Sequence, residues 1–101
     1  MKEYGHSVDY EIDRTRIVWR QIAAVLAHRI ATEEYPLGKR FPSVADVAAE
    51  FDVSTSTGQK ALYQLRDAGL LRMEHGLGTF VDDDGPELAK NEPFGPLPRT
   101  K

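Results

Sequence analysis

The sequence predicts an α+β fold, mostly α, in which three helices are followed by a two-stranded β-hairpin. Apolar residues recur at spacings of three and four over three successive stretches, which is the period of helices that bury one face. A short strand-like run with a glycine-containing turn follows the third stretch and indicates the hairpin. The 101 residues fit one small domain with short tails.

The first helix is predicted within residues 15–34, because five apolar residues fall on one helical stripe there. Those residues are Val18, Ile22, Val25, Leu26 and Ile30. Pro36 and Gly38 then interrupt the chain. Trp19, at the beginning of this helix, is interpreted as a core or dimer contact and not as a platform for a ligand.

The second helix is predicted to begin after Ser43, with Asp46 three residues later, which is the spacing of a capping box. Its predicted buried stripe consists of Val44, Val47, Ala48 and Phe51. A tight turn at residues 52–53 leads to the third helix, for which Ser54 is the expected N-cap.

The third helix is expected to end before Gly69, which suits a left-handed position, and to bury Ala61, Leu62, Leu65 and Ala68. Strands are predicted at residues 70–74 and 79–82, with the turn at 75–78. Two helices joined by a short turn form a helix-turn-helix, and the hairpin directly after them adds a wing. We therefore predict a winged helix-turn-helix at residues 15–82, an N-terminal arm at 1–14 and a disordered, acidic and proline-rich tail at 83–101.

Several short motifs stand out along the predicted elements. Phe-Pro-Ser at residues 41–43 opens the second helix, and Gly-x-Gly-Thr-Phe-Val at 76–81 forms the predicted wing. Weaker motifs lie at residues 38–40, 47–48, 53–57, 61–65 and 69–71. Together these motifs resemble the N-terminal winged helix-turn-helix DNA-binding domain of GntR-family transcriptional regulators. The resemblance implies sequence-specific binding of double-stranded DNA by a bacterial, cytoplasmic and nucleoid-associated regulator, with repression as the expected activity.

The third helix carries most of the residues expected to contact DNA. Hydroxyl side chains fill its first turn, at Ser54, Thr55, Ser56 and Thr57. These hydroxyls and the free backbone N–H groups can meet phosphates when the helix enters the major groove with its N-terminus first. Gln59 can form two hydrogen bonds with an adenine edge, and Lys60 and Tyr63 can contact phosphates or bases. A capped surface helix without a ligand would use the same residue types, so the assignment depends on the helix order and the wing.

The wing is expected to enter or flank the minor groove, as the resemblance implies. Gly76 and Gly78 permit positive φ and close backbone approach, although an ordinary hairpin turn would also favour glycine. His75 can face a phosphate. The candidate interface is completed by Leu77 and Thr79 of the wing, Arg72 at its beginning, and Arg40 and Ser43 before the second helix.

Five positions depart from the family pattern and remove expected charges. The resemblance places a glutamate where this chain has Val44, and arginines or other basic residues where it has Ala45, Thr55, Gln59 and Leu77. Fewer phosphate contacts should lower the affinity and flatten its salt dependence. We therefore expect modest affinity, a base preference centred on Gln59, or cooperation between subunits. Gly58 interrupts the third helix and predicts close packing against the second.

Composition restricts the remaining function classes. The formal net charge is −3, with the acidic residues concentrated in the two tails, whereas residues 15–81 carry eight basic and seven acidic side chains.

The sequence predicts no enzyme, metal, cofactor or membrane span, because it has no cysteine, no metal-ligand spacing of its three histidines and no long apolar run. No effector site is evident in the chain, and a homodimer would have to form through this head itself, for example through the first helix and the arm. Two alternatives remain: a winged-helix module that binds protein, and an accessory DNA-maintenance factor of a plasmid or phage.

Overall fold

The structure is a computed structural model that describes residues 9–101. Its helices are α1 (Val18–Ala31), α2 (Val44–Phe51), α3 (Thr55–Asp67) and α4 (Gly85–Ala89), and its strands are β1 (Leu71–Glu74) and β2 (Gly78–Val81). The predicted order of three helices and a hairpin is confirmed, and so is the α+β fold class. Of the helices within residues 9–101, none has the length and apolar character needed to span a bilayer.

The core lies between α1 and the helix-turn-helix formed by α2 and α3. Its fully buried side chains are Ile22, Val25, Leu26, Ile30, Val47, Leu62, Leu65, Leu70 and Val81. Gly58 is buried in α3, where an added Cβ would lie 3.3 Å from the carbonyl oxygen of Val44 and 3.5 Å from the nitrogen of Ala48. The close approach of α2 and α3 that this glycine predicts is therefore present.

Local hydrogen bonds cap the two helices of the helix-turn-helix at the predicted residues. The N–H of Asp46 donates to Ser43 Oγ, and the N–H of Ser43 donates to the Asp46 carboxylate, which completes the capping box. Ser54 Oγ accepts the N–H of Thr57 at 3.2 Å and caps α3. Asp52 has a left-handed backbone, with φ of 55°, and this residue turns the chain between the two helices.

The wing is an antiparallel pair in which Leu71 faces Val81 and Arg72 faces Phe80. Its strands begin at residues 71 and 78, one residue away from the predicted positions. Residues before α2 extend this small sheet, because Arg40 forms a bridge with Phe80 and the N–H of Phe41 donates to the carbonyl of Thr79 at 2.7 Å. The wing is thus attached directly to the chain that enters the helix-turn-helix.

The prediction of a disordered tail at residues 83–101 is wrong. The tail forms α4 and packs on α1, with Ala89 and Phe94 buried. Ala24 and Ala27 of α1 are buried and, with Ala89 and Phe94 of the tail, line a small cleft between the two. The buried Gly85 marks a second close approach, between the tail and the chain at the beginning of the wing, because an added Cβ would lie 2.6 Å from the carbonyl oxygen of Leu70.

The described part of the N-terminal arm pairs with the end of the tail. Tyr10 forms an antiparallel bridge with Thr100, and the N–H of Glu11 donates to the carbonyl of Arg99 at 2.7 Å. Residues 1–8 of the predicted arm lie outside the described residues. Arm and tail therefore meet beside the beginning of α1.

A buried arginine joins α1 to α2. Arg29 Nη2 lies 2.7 Å from Glu50 Oε2, and Nη1 donates to the Tyr35 hydroxyl at 3.0 Å. Burial alone would lower the pKa of Arg29, but its hydrogen bonds to Glu50 and Tyr35 raise it overall. Burial raises the pKa of Tyr35 to about 12, against the lowering influence of Arg29. The guanidinium is therefore charged and the phenol neutral at physiological pH.

Candidate nucleic-acid interface

The first turn of α3 presents two exposed hydroxyl residues, Thr55 and Ser56. The other two hydroxyls are used within the helix, because Ser54 Oγ donates to Thr57 Oγ1 at 3.2 Å while it accepts the N–H of Thr57. The N–H groups of Thr55 and Ser56 have no acceptor within the helix, as in the first turn of every α-helix. The outward surface of this turn is a set of donors suited to an anion such as phosphate.

One turn further along, Gln59 and Tyr63 form a hydrogen-bonded pair on the exposed face of α3. Gln59 Nε2 donates to the Tyr63 hydroxyl at 3.0 Å. The guanidinium of Arg66 lies 4.5 Å from the centre of the Tyr63 ring and pairs with Asp67 at 3.1 Å. Arg66 was missed in the sequence, although its spacing of seven from Gln59 and three from Tyr63 places it on the same helical face.

Lys60 points away from this pair towards α1. Its ammonium lies 5.5 Å from the centre of the Trp19 ring, a cation–π distance. The structure thus separates Lys60 from Gln59 and Tyr63 and places its charge at the junction of α3 with the beginning of α1.

The tip of the wing is exposed and includes a large apolar side chain. His75, Gly76 and Leu77 all face outward, and Leu77 is 60% exposed. Gly76 and Gly78 adopt φ of 79° and 122°, which is the positive φ predicted for this turn. Thr79 follows in β2 and is half-buried.

Arg40 lies across the wing and holds its tip. Its Nε donates to the carbonyl of Leu77 at 2.8 Å, and an added Cβ on Gly78 would lie only 3.1 Å from the same nitrogen. The sequence places Arg40 in the candidate interface but gives no sign of this hydrogen bond, because Arg40 and Leu77 are 37 positions apart. Arg40 and the wing tip therefore form one unit.

Arg72 and Ser43 already make contacts within the domain. Arg72 Nε pairs with Glu74 at 3.2 Å, and its guanidinium lies 5.2 Å from the centre of the Phe80 ring. The hydroxyl of Ser43 accepts the N–H of Asp46 in the capping box and remains exposed. Within residues 9–101, no group of three or more potential ligands is placed to hold a metal ion.

A helix-turn-helix with a capped, donor-rich recognition helix and an adjoining wing defines the class of DNA-binding transcriptional regulators. Residues 19–81 match the family described as bacterial regulatory proteins, gntR family. The chain belongs to the GntR family, as the motif resemblance predicted, and this is a family of regulators, not of enzymes.

Relatives and solved structures agree with this assignment. The chain is 34% identical over 79 residues to the HTH-type transcriptional regulator GmuR of Bacillus subtilis, covering 73% of this chain and 33% of GmuR. It is 34% identical over 67 residues to the Escherichia coli repressor of mannosyl-D-glycerate transport and metabolism, MngR, covering 66% of this chain and 28% of MngR. The structure of Streptococcus agalactiae BusR in complex with its busAB-promotor DNA aligns with a TM-score of 0.64 and 33% identity, over 72% of this chain and 35% of BusR. The chain therefore spans about a third or less of these relatives.

Proposed function

We propose that this domain binds double-stranded DNA in a sequence-specific manner and serves as the DNA-reading head of a cytoplasmic, nucleoid-associated transcriptional repressor. The observation that carries the proposal is the outward surface of α3, where the exposed first turn adjoins the Gln59–Tyr63 pair. An α-helix of this kind fits the major groove. The BusR complex with promoter DNA and the repressor MngR support this function by relationship.

In this proposal, the first turn of α3 binds phosphate and Gln59 contacts a base edge. Thr55 and Ser56 meet the backbone, while Ser54 and Thr57 hold the turn in shape. The hydrogen bond that Gln59 Nε2 donates to the Tyr63 hydroxyl holds the Gln59 side chain before DNA arrives, which reduces the entropy lost on binding. Arg66, stacked on Tyr63, adds a positive charge to the same face.

The wing supplies the second contact of the proposal. His75, Gly76, Leu77 and Gly78 approach the minor groove, and Arg40 and Thr79 hold the tip. Leu77 replaces a basic residue of the family pattern, and an apolar side chain in that groove contacts sugar and base edges instead of phosphate. The contact made by Leu77 should therefore depend little on salt.

The proposal is tested by selecting bound duplexes from a random library and measuring mobility shifts of the full chain at low salt. We expect a defined sequence preference. No shift of any duplex at micromolar protein would contradict DNA binding. Light scattering of the free and DNA-bound chain would test the homodimer expected for a two-fold operator, whose half-sites lie about one helical turn apart.

Gln59→Ala should relax the base preference at one position of the selected site, because alanine cannot form the paired hydrogen bonds to an adenine edge. Discrimination at that position should fall by about 1–3 kcal/mol. Lys60 is exposed beside Trp19 and not beside Gln59, so we propose it as a phosphate contact and not as a base contact. Lys60→Ala is therefore the contrast, and it should weaken binding evenly across sequences and make the salt slope shallower by about 1. Competition shifts with single-base variants of the site measure both effects. If both variants bound like the parent, α3 would not be the recognition helix.

Arg40→Lys should weaken DNA binding although it keeps the charge, because lysine lacks the Nε atom that binds the Leu77 carbonyl. Loss of this hydrogen bond should lower the affinity by up to about tenfold without changing the salt slope. Arg40→Gln should lose the hydrogen bond and also flatten the slope. Titrations at several salt concentrations separate these outcomes. Parent-like affinity of Arg40→Lys would instead make Arg40 a plain phosphate contact.

A further inference from the structure

An open cleft of about 1,090 Å³ lies between the beginning of α1 and the tail, outside the helix-turn-helix and the wing. Four of its lining residues are arginines, namely Arg14, Arg16, Arg20 and Arg99, against two carboxylates, Glu11 and Asp13. In a chain of net charge −3, this is a local excess of positive charge. Such an excess favours an anionic partner.

One of the two carboxylates is already occupied by neighbouring groups. Asp13 accepts hydrogen bonds from the hydroxyl and the N–H of Thr15, and it lies 3.4 Å from Arg16 Nε. These hydrogen bonds from Thr15, more than Arg16, hold the pKa of Asp13 below its ordinary value. The Arg16 side chain is nevertheless 80% exposed, and Arg20 is exposed as well. Both guanidinium groups therefore remain accessible to a partner.

Two contacts place this cleft beside the recognition helix. Arg14 donates to the carbonyls of Phe51 and Asp52 at 2.9 and 3.0 Å, at the turn directly before α3. On the other side, the Lys60 ammonium of α3 lies over Trp19, the residue before Arg20. The segment before α1 thus contacts the end of α2 and the turn that leads into α3, and α1 itself contacts the second turn of α3 through Trp19 and Lys60.

Arg16 lies in the bend before α1 and Arg20 in its first turn, and we call these two residues the arginine ridge. Both side chains line the same cleft. Guanidinium groups match the geometry of phosphate oxygens and keep their charge at every physiological pH. DNA held by α3 would pass near the ridge, because Trp19 beside Arg20 contacts α3 and Arg14 near Arg16 contacts the turn that leads into α3.

We infer that the arginine ridge binds the phosphate backbone of the DNA that flanks the site contacted by α3. This inference rests on the proposed DNA binding and adds a contact surface to it. The ridge supplies cationic contacts that Ala45, Thr55 and Leu77 do not. It extends the footprint along the duplex and contributes affinity without base preference.

The test compares the full chain with Arg20→Gln and with the double variant Arg16→Gln/Arg20→Gln on two duplexes containing the selected site. One duplex extends about ten base pairs beyond the site, and the other ends at its edge. Lys90→Gln on α4 is the charge-matched control, because Lys90 is exposed and lies on a different helix. Unchanged thermal midpoints would verify folding.

On the long duplex, each ridge arginine removed should make the slope of log affinity against log salt shallower by about 0.9, with a loss of about five- to tenfold in affinity near 0.1 M salt. On the short duplex, the double variant should bind like the parent. Lys90→Gln should leave the slope unchanged on both duplexes.

The failures of the two proposals are distinguishable. If the parent binds its site but the double variant keeps the parental slope on the long duplex, the ridge inference is wrong and DNA binding by α3 stands. If the parent binds no duplex, the proposed function fails and the ridge inference with it. Inorganic phosphate added at constant ionic strength should leave the difference between parent and double variant intact. If phosphate abolished the difference between the two proteins, the cleft would be a site for a free anion and the inference would be overturned.

Discussion

Arg29→Ala is expected to lower the free energy of unfolding by about 3–5 kcal/mol, because it removes one partner of a buried ion pair. Arg29 is only 4% exposed, and its guanidinium bonds Glu50 on α2 and the Tyr35 hydroxyl after α1. The variant leaves the Glu50 carboxylate without its nearest cation and opens space above Phe51. Since small domains are stable by about 5–15 kcal/mol in total, much of the chain would unfold under mild denaturant.

Urea unfolding followed by circular dichroism measures this loss. The Arg16–Asp13 pair provides the control, because its side chains are 80% and 49% exposed and Arg16→Ala should change stability by less than about 1 kcal/mol. The double variant Arg29→Met/Glu50→Gln should be more stable than Arg29→Met alone, since it also removes the unpaired carboxylate. Equal stability of Arg29→Ala and Arg16→Ala would show that the buried pair does not join α1 to α2.

The sequence could not predict this ion pair, because its partners are distant along the chain. Position 29 lies next to the apolar stripe of α1, and nothing local distinguishes it from the exposed Arg20. Tyr35 and Glu50 follow by 6 and 21 residues and reach Arg29 only after α1 and α2 have packed. A buried charged residue can be recognised only from the partners that neutralise it, and tertiary structure decides which residues those partners are.

The helix-turn-helix could be predicted because its signals are local. Ser43 and Asp46 bond each other within one turn, and Ser54 caps α3 in the same way. These side chains satisfy orphan N–H groups wherever the rest of the chain lies, so their spacing alone locates the helix ends. Gly58 also gave a correct prediction, because a glycine within a helix usually has a packing reason.

The sequence predicts the residues of the candidate interface, which stay a prediction, but it does not predict how the fold arranges them. The helical period places Gln59 and Tyr63 together and adds Arg66, which was overlooked. The period does not reveal that Lys60 turns to Trp19, or that Arg40 holds the wing tip, because both contacts join segments far apart in sequence. The roles of these two cations therefore follow from packing.

The docked tail was missed because its apolar residues are few and lie among acidic residues and prolines. Such composition ordinarily indicates disorder. The signal lay instead on α1, where Ala24, Ala27 and Ala31 recur at spacings of three and four outside the predicted stripe. A second row of small residues on a helix indicates a second packing partner, and here the partner is α4 with Phe94.

Phe94→Ala is expected to lower the free energy of unfolding by about 3 kcal/mol, the lower end of the range for a buried phenylalanine, because Phe94 lies at the edge of the core. Its ring is 8% exposed and meets Trp19 edge-on at 6.4 Å between centroids. Trp19 is the single tryptophan, so its fluorescence reports directly on this contact. We expect a shift to longer wavelength in the folded variant, since loss of the Phe94 ring admits water to the indole.

Leu97→Ala in the same tail is the matched control, because Leu97 is 37% exposed and its truncation should change stability by less than about 1 kcal/mol. Equal effects of the two variants on unfolding and on fluorescence would show that the tail does not dock on α1.

If the tail docks as described, Phe94→Ala also loosens one side of the indole while Lys60 remains over the ring. Trp19 then moves more freely against α3, so the variant should also bind DNA more weakly, whereas Leu97→Ala should bind like the parent. The tail would thereby support the recognition helix through one aromatic contact.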